Sequence, residues 1–538
     1  MELEKLIPQI DGLFSKWDTT YSPGCALALI QDGEIAYSRG YGMASLEFGV
    51  PITPQTIFQI GSISKQFTAM AIAILAVEGR IRLDDDVRIY VPEIPDFGKT
   101  ITINHLVHHI SGMRSIGEVN TIAGNRGDDV TYMSDYLGLL FRQRALNFEP
   151  GERYLYCNTG FAVLGAIVQK VTGLTLQQFC DQHIFKPLGM RHTRFQESHR
   201  LVLPGFAQSY APLDDGGFER EILPHGLPGS TSLLTTVEDL LYWDREFYTG
   251  KVLGKAVIDQ AHETGILNNG QPIDYAFGIH INQYRGLKTV KHTGSDAGFR
   301  AVLMRFPDER FTILILSNLS TSNPEKTARK IADLCLADKF TEPLPEEEKL
   351  QPISLPVEKL EPYTGLYYHP TADAGPGAQV ILRDQKLTLD LGEGYALVPL
   401  TDNLFYTEGL EDLKVRFGKD ETGKNSMSWL VDGEWTLYPQ IELPQDSKDF
   451  SAFCGRYYCD ETETYYTIFE RGGGLWVKMG RQGEFLLKPF MADVYALDVA
   501  TLLKEPVAFK VAFSRKNGQV DGLYVSSGRI KNMQYEKL

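Results

Sequence analysis

The hexapeptide "YTGLYY" (Tyr363–Tyr368) returns as "FCGRYY" (Phe453–Tyr458), ninety positions further along the chain. "YALVPL" (Tyr395–Leu400) returns as "FLLKPF" (Phe485–Phe490) at the same offset. Two matches at one offset identify a duplicated unit. Each copy is a run of short segments rich in aromatics and glycine, without helical periodicity. At about ninety residues it has the size of a small β-barrel or sandwich, with the aromatics filling its interior. The joint between the copies falls in "LPQDSKD" (Leu443–Asp449). "ERGGGLW" (Glu470–Trp476) reads as a hairpin turn, because a phosphate loop needs a following helix and none is predicted there.

Upstream of the repeat, "TEPLPEEEKLQPISLPVEKL" (Thr341–Leu360) carries four prolines and an acidic run, the composition of a linker. The predicted division is therefore 1–340, a linker over 341–360, and two β-domains over 361–445 and 446–538. Within 1–340, "CALALIQDGEIAYSRGYG" reads as two strands joined at Asp32-Gly33, a strong hairpin signal. Apolar or amphipathic helices follow Ser62, run over Thr159–Gly173 with Gly173 as terminator, and occupy "TVEDLLYWDREFYTG". Strands return in "TVKHTGS", "GFRAVLMRFP" and "RFTILILSN", with Pro307-Asp308 as a turn, before a closing helix from Pro324. First and last strands flanking a helical middle predict an α+β domain: an antiparallel sheet flanked by helices, plus a helical region.

The chain has 538 residues, which suits two to four domains. Its net charge of −16 argues against a nucleic-acid or anionic-membrane partner, since phosphate binding needs a basic surface. Its six cysteines, Cys25, Cys157, Cys180, Cys335, Cys454 and Cys459, form no CxxC pair, so neither a disulfide framework nor a zinc ribbon is suggested. The N-terminus lacks the charged-then-apolar run of a signal peptide, and the most apolar stretch, Ala69–Val77, is too short to span a bilayer. A cytoplasmic protein with no membrane partner is expected; a removed leader would make it periplasmic or secreted.

Three patterns carry chemistry. In "FQIGSISKQF", Ser62 and Lys65 stand at i and i+3 and share a helix face. An amine there can take the hydroxyl proton, and the helix N-terminus favours a developing oxyanion. Taken alone the pattern is weak: about one chance S-x-x-K is expected in a chain this long, and a capping serine with a snorkelling lysine explains it equally. In "YLYCNTG", Tyr156 and Asn158 lie two apart in an extended turn and point the same way. In "KHTGSDAGF", His292-Thr293-Gly294-Ser295 ends a predicted strand.

Together these resemble the S-x-x-K, Y-x-N and [K/H]-[T/S]-G motifs of the serine β-lactamase and penicillin-binding-protein superfamily. The tyrosine in the second motif matches the class C β-lactamase and D-aminopeptidase/D,D-peptidase branch. "GYGMASLEFGVPITPQTIFQIGSISK", "HHISGM" and "PGSTSLLTTVEDLLYW" look like the same branch, so the resemblance covers roughly residues 8–340. It implies Ser62 as nucleophile, Lys65 as its activating partner and Tyr156 as proton shuttle. Asn158 would hold the substrate amide, and His292 would line the site opposite the serine and couple to Tyr156. The His292–Ser295 strand, with Thr293 and Gly294, would bind substrate, and the N–H groups of Ser62 and Ser295 would form the oxyanion hole. The histidines His105, His108 and His109 lack the H-E-x-x-H arrangement and read as structural; no metal or cofactor is implied.

His292 is the informative departure. A lysine at this position in related enzymes can pair with a substrate carboxylate, whereas a histidine is largely neutral at pH 7. The domain plan also resembles the D-aminopeptidase family, whose catalytic domain is followed by two antiparallel lipocalin-like barrels. In that family a loop of the last barrel recognises the substrate's free amine. Here Arg471–Gly474 or Met479–Gly483 would be its counterpart, with Glu470 or Glu484 as the acid, although a solvated hairpin charge is the favoured reading of either glutamate. The resemblance implies a serine hydrolase acting through an acyl-enzyme on small molecules or short peptides, as a D-aminopeptidase, D-amino-acid amidase or esterase, in a possible homodimer. The alternatives are a β-lactamase-like esterase or D,D-peptidase, and a non-catalytic binder of peptidoglycan fragments.

Overall fold

The computed structural model describes residues 3–344, 350–368, 378–390, 394–408, 410–431, 434–442, 449–497 and 509–538. The chain forms two compact units, Met1–Met113 with Asp128–Pro343, and Arg114–Gly127 with Leu344–Leu538. The segment Arg114–Gly127, which the sequence reading kept in the first domain, groups with the β-rich unit. The boundary at 445/446 and all of the Leu443–Asp449 joint except Asp449 lie outside the described residues, as does the acidic run 345–349.

In the first unit, strands β1 (Cys25–Gln31) and β2 (Glu34–Tyr41) form the expected hairpin, with Asp32 and Gly33 at φ 55° and 78°. Two consecutive positive φ values give the primed turn whose twist matches the flanking strands. Four later strands, β3 (His280–Tyr284), β4 (Leu287–Asp296), β5 (Phe299–Phe306) and β6 (Phe311–Ser317), join them in the order β3-β4-β5-β6-β1-β2. Every neighbouring pair is antiparallel. The first and last parts of this domain thus meet where β1 pairs β6, Cys25 opposite Ser317. One face of the sheet is covered by α1 (Leu3–Gly12) and by a C-terminal helix, Pro324–Cys335, around a core of Leu27, Leu29, Val302, Ile313 and Ile331.

The helical region centres on α2 (Ser64–Val77), buried from Ser64 to Leu75. A helix apolar on all sides belongs in a core. Next to it stand α3 (Asn158–Thr172), closed by Gly173 at φ 75°, and α4 (Val237–Thr249). Trp243 of α4 stacks on Phe67 of α2 at 4.1 Å and donates its Nε1–H to Gln66 Oε1 at 2.9 Å. A short 3-10 turn, Gly61–Ile63, precedes α2, so Ser62 sits ahead of the α-helix and does not cap it. Among the described residues no single helix is long and apolar enough to cross a membrane.

In the second unit, two eight-stranded antiparallel barrels close on themselves. The first strand of each, Gly365–Tyr367 and Gly455–Cys459, pairs with its last, Glu434–Ile441 and Ile530–Lys537. The repeat has a physical basis. Tyr367 OH donates to Tyr363 O at 2.9 Å, and ninety residues later Tyr457 OH donates to Phe453 O at 2.7 Å. Each tyrosine is fully buried, so its hydroxyl needs this partner. The end of the predicted linker is part of the first barrel: Val357–Leu360 is helical and Leu360 enters the barrel core.

Arg114–Gly127 is bonded along its length to the second barrel. Arg114 forms a buried ion pair with Glu461 at 2.7 Å, and Glu118 accepts from Ser527 and the Arg529 N–H. The Ile122 carbonyl accepts from Tyr466 and Tyr535. The turn Met479–Gly483 meets the same segment, with Gln482 donating to the Thr121 and Asn125 carbonyls and the Arg481 N–H to Gly124 O.

Between α4 and the sheet, Arg305 of β5 donates Nε–H to Asp244 Oδ1 at 2.7 Å, with both side chains almost wholly buried. Thr312 of β6 adds a bond to the same oxygen at 2.9 Å. Removing one member leaves an uncompensated buried charge, so Asp244→Ala is expected to cost about 3–5 kcal/mol. The double variant Asp244→Leu, Arg305→Met leaves no such charge and should lose less. Urea unfolding of the three proteins checks the order.

Candidate active site

The candidate nucleophile is placed by a backbone approach that only glycine permits. The strand Phe58–Gln59 pairs with Leu233–Thr235 and leads into the Gly61–Ile63 turn. Gly61 has φ 53°, and a Cβ there would lie 2.4 Å from the Ser295 nitrogen. A Cβ on Gly294 would lie 2.0 Å from the Ile60 oxygen. Two glycines facing one another let the turn lie against β4, and this brings the Ser62 segment beside the Ser295 amide.

Lys65, in the first turn of α2, is fully buried. Its Nζ donates to Ser62 Oγ at 3.1 Å and to the Ser230 carbonyl at 2.6 Å. The same nitrogen lies 4.8 Å from the Tyr156 ring centroid and 5.6 Å from that of Phe161. The loop supplying the Ser230 carbonyl is tied back to α2 by Thr68, which donates to Gly229 O at 2.8 Å. Ser62, Lys65 and Tyr156 are thus brought together as the three motifs predict.

The Tyr156-Cys157-Asn158 segment enters α3 in extended conformation, Cys157 at φ −135°. The Cys157 side chain is buried and donates to Met113 O at 3.3 Å, leaving its two neighbours to the other side. The Cys157 N–H donates to His109 Nδ1 at 3.0 Å. Asn158 Oδ1 is buried without a hydrogen-bond partner among the described residues. An amide oxygen in that condition suits an N–H donor from a substrate.

On β4 the side chains alternate. His292 and Gly294 are buried, while Thr293 and Ser295 are exposed. His292 Nδ1 lies 2.6 Å from Thr293 O, and Nε2 lies 3.1 Å from Tyr275 OH. A carbonyl only accepts, so Nδ1 carries the proton, and Nε2 accepts from the tyrosine. Burial, with the nearby His280, Lys65 and Lys291, holds His292 well below the ordinary imidazole range. The ring is 6.1 Å from that of Tyr156, so it meets Tyr156 through packing, and its hydrogen bond goes to Tyr275. His292 therefore offers no cation at the place where a lysine would.

Of the three clustered histidines, His105 caps its helix with Thr102, and His108 bonds to the Asn104 and Glu263 carbonyls. His109 is a different case, with φ 58° and its ring 4.2 Å from that of Tyr156. The "HHISGM" segment was its signal; Tyr275, alone in "DYAFG", had none. Among the described residues no group of three His, Cys, Asp or Glu could hold a metal. Glu484 pairs with Arg471 on the barrel surface at 2.7 Å, and that guanidinium lies 3.8 Å from the Trp476 ring centroid, in keeping with the hairpin reading.

The unfolded chain takes up a proton on His292 below about pH 6.5, and the folded chain does not. The contribution of this group to stability is therefore fully present above that pH and falls as the pH is lowered, by up to about 1.4 kcal/mol per pH unit. Tyr275→Phe removes the donor that favours neutral His292, which raises its folded-state pKa. The expected result is a lower melting temperature at pH 7.5 with a shallower loss between pH 6.5 and 5. A parallel displacement with an unchanged slope would contradict the assigned tautomer.

Comparison with known proteins identifies the family. The family model described as Beta-lactamase matches residues 12–338. Penicillin-binding protein 4* of Bacillus subtilis (strain 168) is 28% identical over 428 residues, 75% of this chain and 92% of that protein. The D-aminopeptidase of Gluconobacter oxydans (strain 621H) is 25% identical over 528 residues, 96% of each chain. Among solved structures, the octameric penicillin-binding protein homologue from Pyrococcus abyssi aligns with a TM-score of 0.58 at 23% identity, covering 90% of this chain and 100% of that one. The chain belongs to the beta-lactamase family, among the serine hydrolases related to penicillin-binding proteins.

Proposed function

We propose that this protein hydrolyses small amides, peptides or esters bearing an N-terminal D-residue, through an acyl-enzyme on Ser62. The observation that carries the reading is Lys65: a wholly buried amine 3.1 Å from the Ser62 hydroxyl, over the face of Tyr156. In acylation the Ser62 proton passes to the Lys65–Tyr156 pair as Oγ attacks the carbonyl carbon. Charge developing on the carbonyl oxygen is met by the Ser62 and Ser295 N–H groups. The pair returns the proton to the leaving amine or alcohol. Water then attacks the ester by the same route, and Ser62 is regenerated.

Two observations support the substrate class. His292 is neutral and sealed against Tyr275, so a substrate carboxylate gains no ion pair from it. The similarity to the Gluconobacter D-aminopeptidase extends over both barrels as well as the catalytic domain.

A fluorophosphonate is expected to label Ser62 stoichiometrically, and Ser62→Ala to abolish both labelling and turnover. Absence of an adduct together with full activity of Ser62→Ala would refute the mechanism. A D-alanine anilide with a free amine should be cleaved at least about tenfold faster than its N-acylated form, which corresponds to about 1.4 kcal/mol of recognition at the amine. Faster cleavage of the N-acylated form would point to an esterase or D,D-peptidase. Chromogenic assays of the two anilides decide this.

A further inference from the structure

Next to Ser295 on β4 stands Asp296, a residue that the three motifs do not use. Its carboxylate gathers side chains from three other segments. Gln59 Nε2 and Thr231 Oγ1 both donate to Oδ2, and His225 Nε2 lies 3.2 Å from Oδ1. Gln59 Nε2 also reaches Thr231 Oγ1 at 2.8 Å, and Gln59 Oε1 accepts the Gly61 N–H. Burial would raise the Asp296 carboxyl, but the His225 charge and the bonds from His225, Thr231 and Gln59 hold it below the ordinary range.

Two of the gathered segments, and that of Asp296 itself, carry parts of the candidate machinery. Gln59 is three residues ahead of Ser62 and bonded to the residue just before it. Thr231 follows Ser230, whose carbonyl accepts from Lys65. Asp296 follows Ser295, whose amide stands against Gly61. Only an ionised carboxylate can accept all three donors at once. An amide at this position would present an N–H₂ to His225 or to the Gln59 and Thr231 donors.

We propose that Asp296 is a positioning residue: it fixes the Ser295 amide, the Ser62 turn and the Lys65 carbonyl partner in one register. Its effect therefore falls on the transition state, where the oxyanion first needs both amides, and hardly on ground-state binding. The inference rests on Ser62 being the nucleophile, and its test separates the two ideas.

The full chain is treated with a fluorophosphonate, and the limiting inactivation rate and half-saturating concentration are measured separately. Asp296→Asn is expected to lower the limiting rate by roughly 10- to 100-fold, with the half-saturating concentration within about twofold of wild type. Thr231→Val should lower the rate by about tenfold, and Thr231→Ser, which restores the hydroxyl, should return it to within about twofold. If Asp296→Asn fails to fold, the Thr231 pair still decides. Wild-type rates in Asp296→Asn and Thr231→Val, or equal losses in Thr231→Ser and Thr231→Val, would overturn the positioning role. Absence of labelling in wild type would overturn the nucleophile and this inference together.

Discussion

A wholly buried amine has to be given partners by the fold, because an unpaired charge or donor in a low-dielectric interior is far too costly to retain. Lys65 finds the oxygens of Ser62 and Ser230 and the aromatic faces of Tyr156 and Phe161, drawn from three parts of the chain. Much of the first unit can be understood as the arrangement that brings those four together. The loop at Gly229–Ser230 turns its carbonyl inward and is pinned by Thr68. The start of α3 delivers Tyr156 and Phe161. The glycine pair at Gly61 and Gly294 lets the serine lie against the sheet.

Around that amine the site is packed with aromatic rings. The rings of His109, Tyr154, Tyr156, Tyr275, His280 and His292 pack against one another with centroid separations of about 4 to 6 Å. Neutral His292 adds no cation there. His225 and Asp296 pair beside Ser295 on β4, at 3.2 Å.

The parts legible in the sequence were those with short-range signatures. Asp32-Gly33 fixed a hairpin through its φ preference, Gly173 ended a helix, and the ninety-residue offset announced two similar barrels before their strands could be counted. The motifs pointed to Ser62, Lys65 and Tyr156, which the fold brings together, because each is embedded in a run whose spacing is chemically constrained. Tyr275, Thr231 and His225 were not legible. Each acts through a contact with a residue far along the chain, and nothing beside it marks that partner. Asp296 carries no such signature either, since an aspartate at a strand end is ordinarily solvated. The 3-10 turn carrying Ser62 was read as the start of the helix itself, because periodicity does not resolve one turn type from another at a helix end.

The segment Arg114–Gly127 gives the polypeptide an unusual order of assembly. Its bonds to the second barrel span 344 residues from Ile122 to Tyr466 and 411 from Glu118 to Arg529. Contacts so distant in sequence close late, after the loop between them has been ordered. On the ribosome this segment emerges early and must wait for almost the whole chain before its partners exist. The first unit, interrupted in sequence between Met113 and Asp128, thus gives up a stretch of chain that completes the second unit, where its docking site is made last.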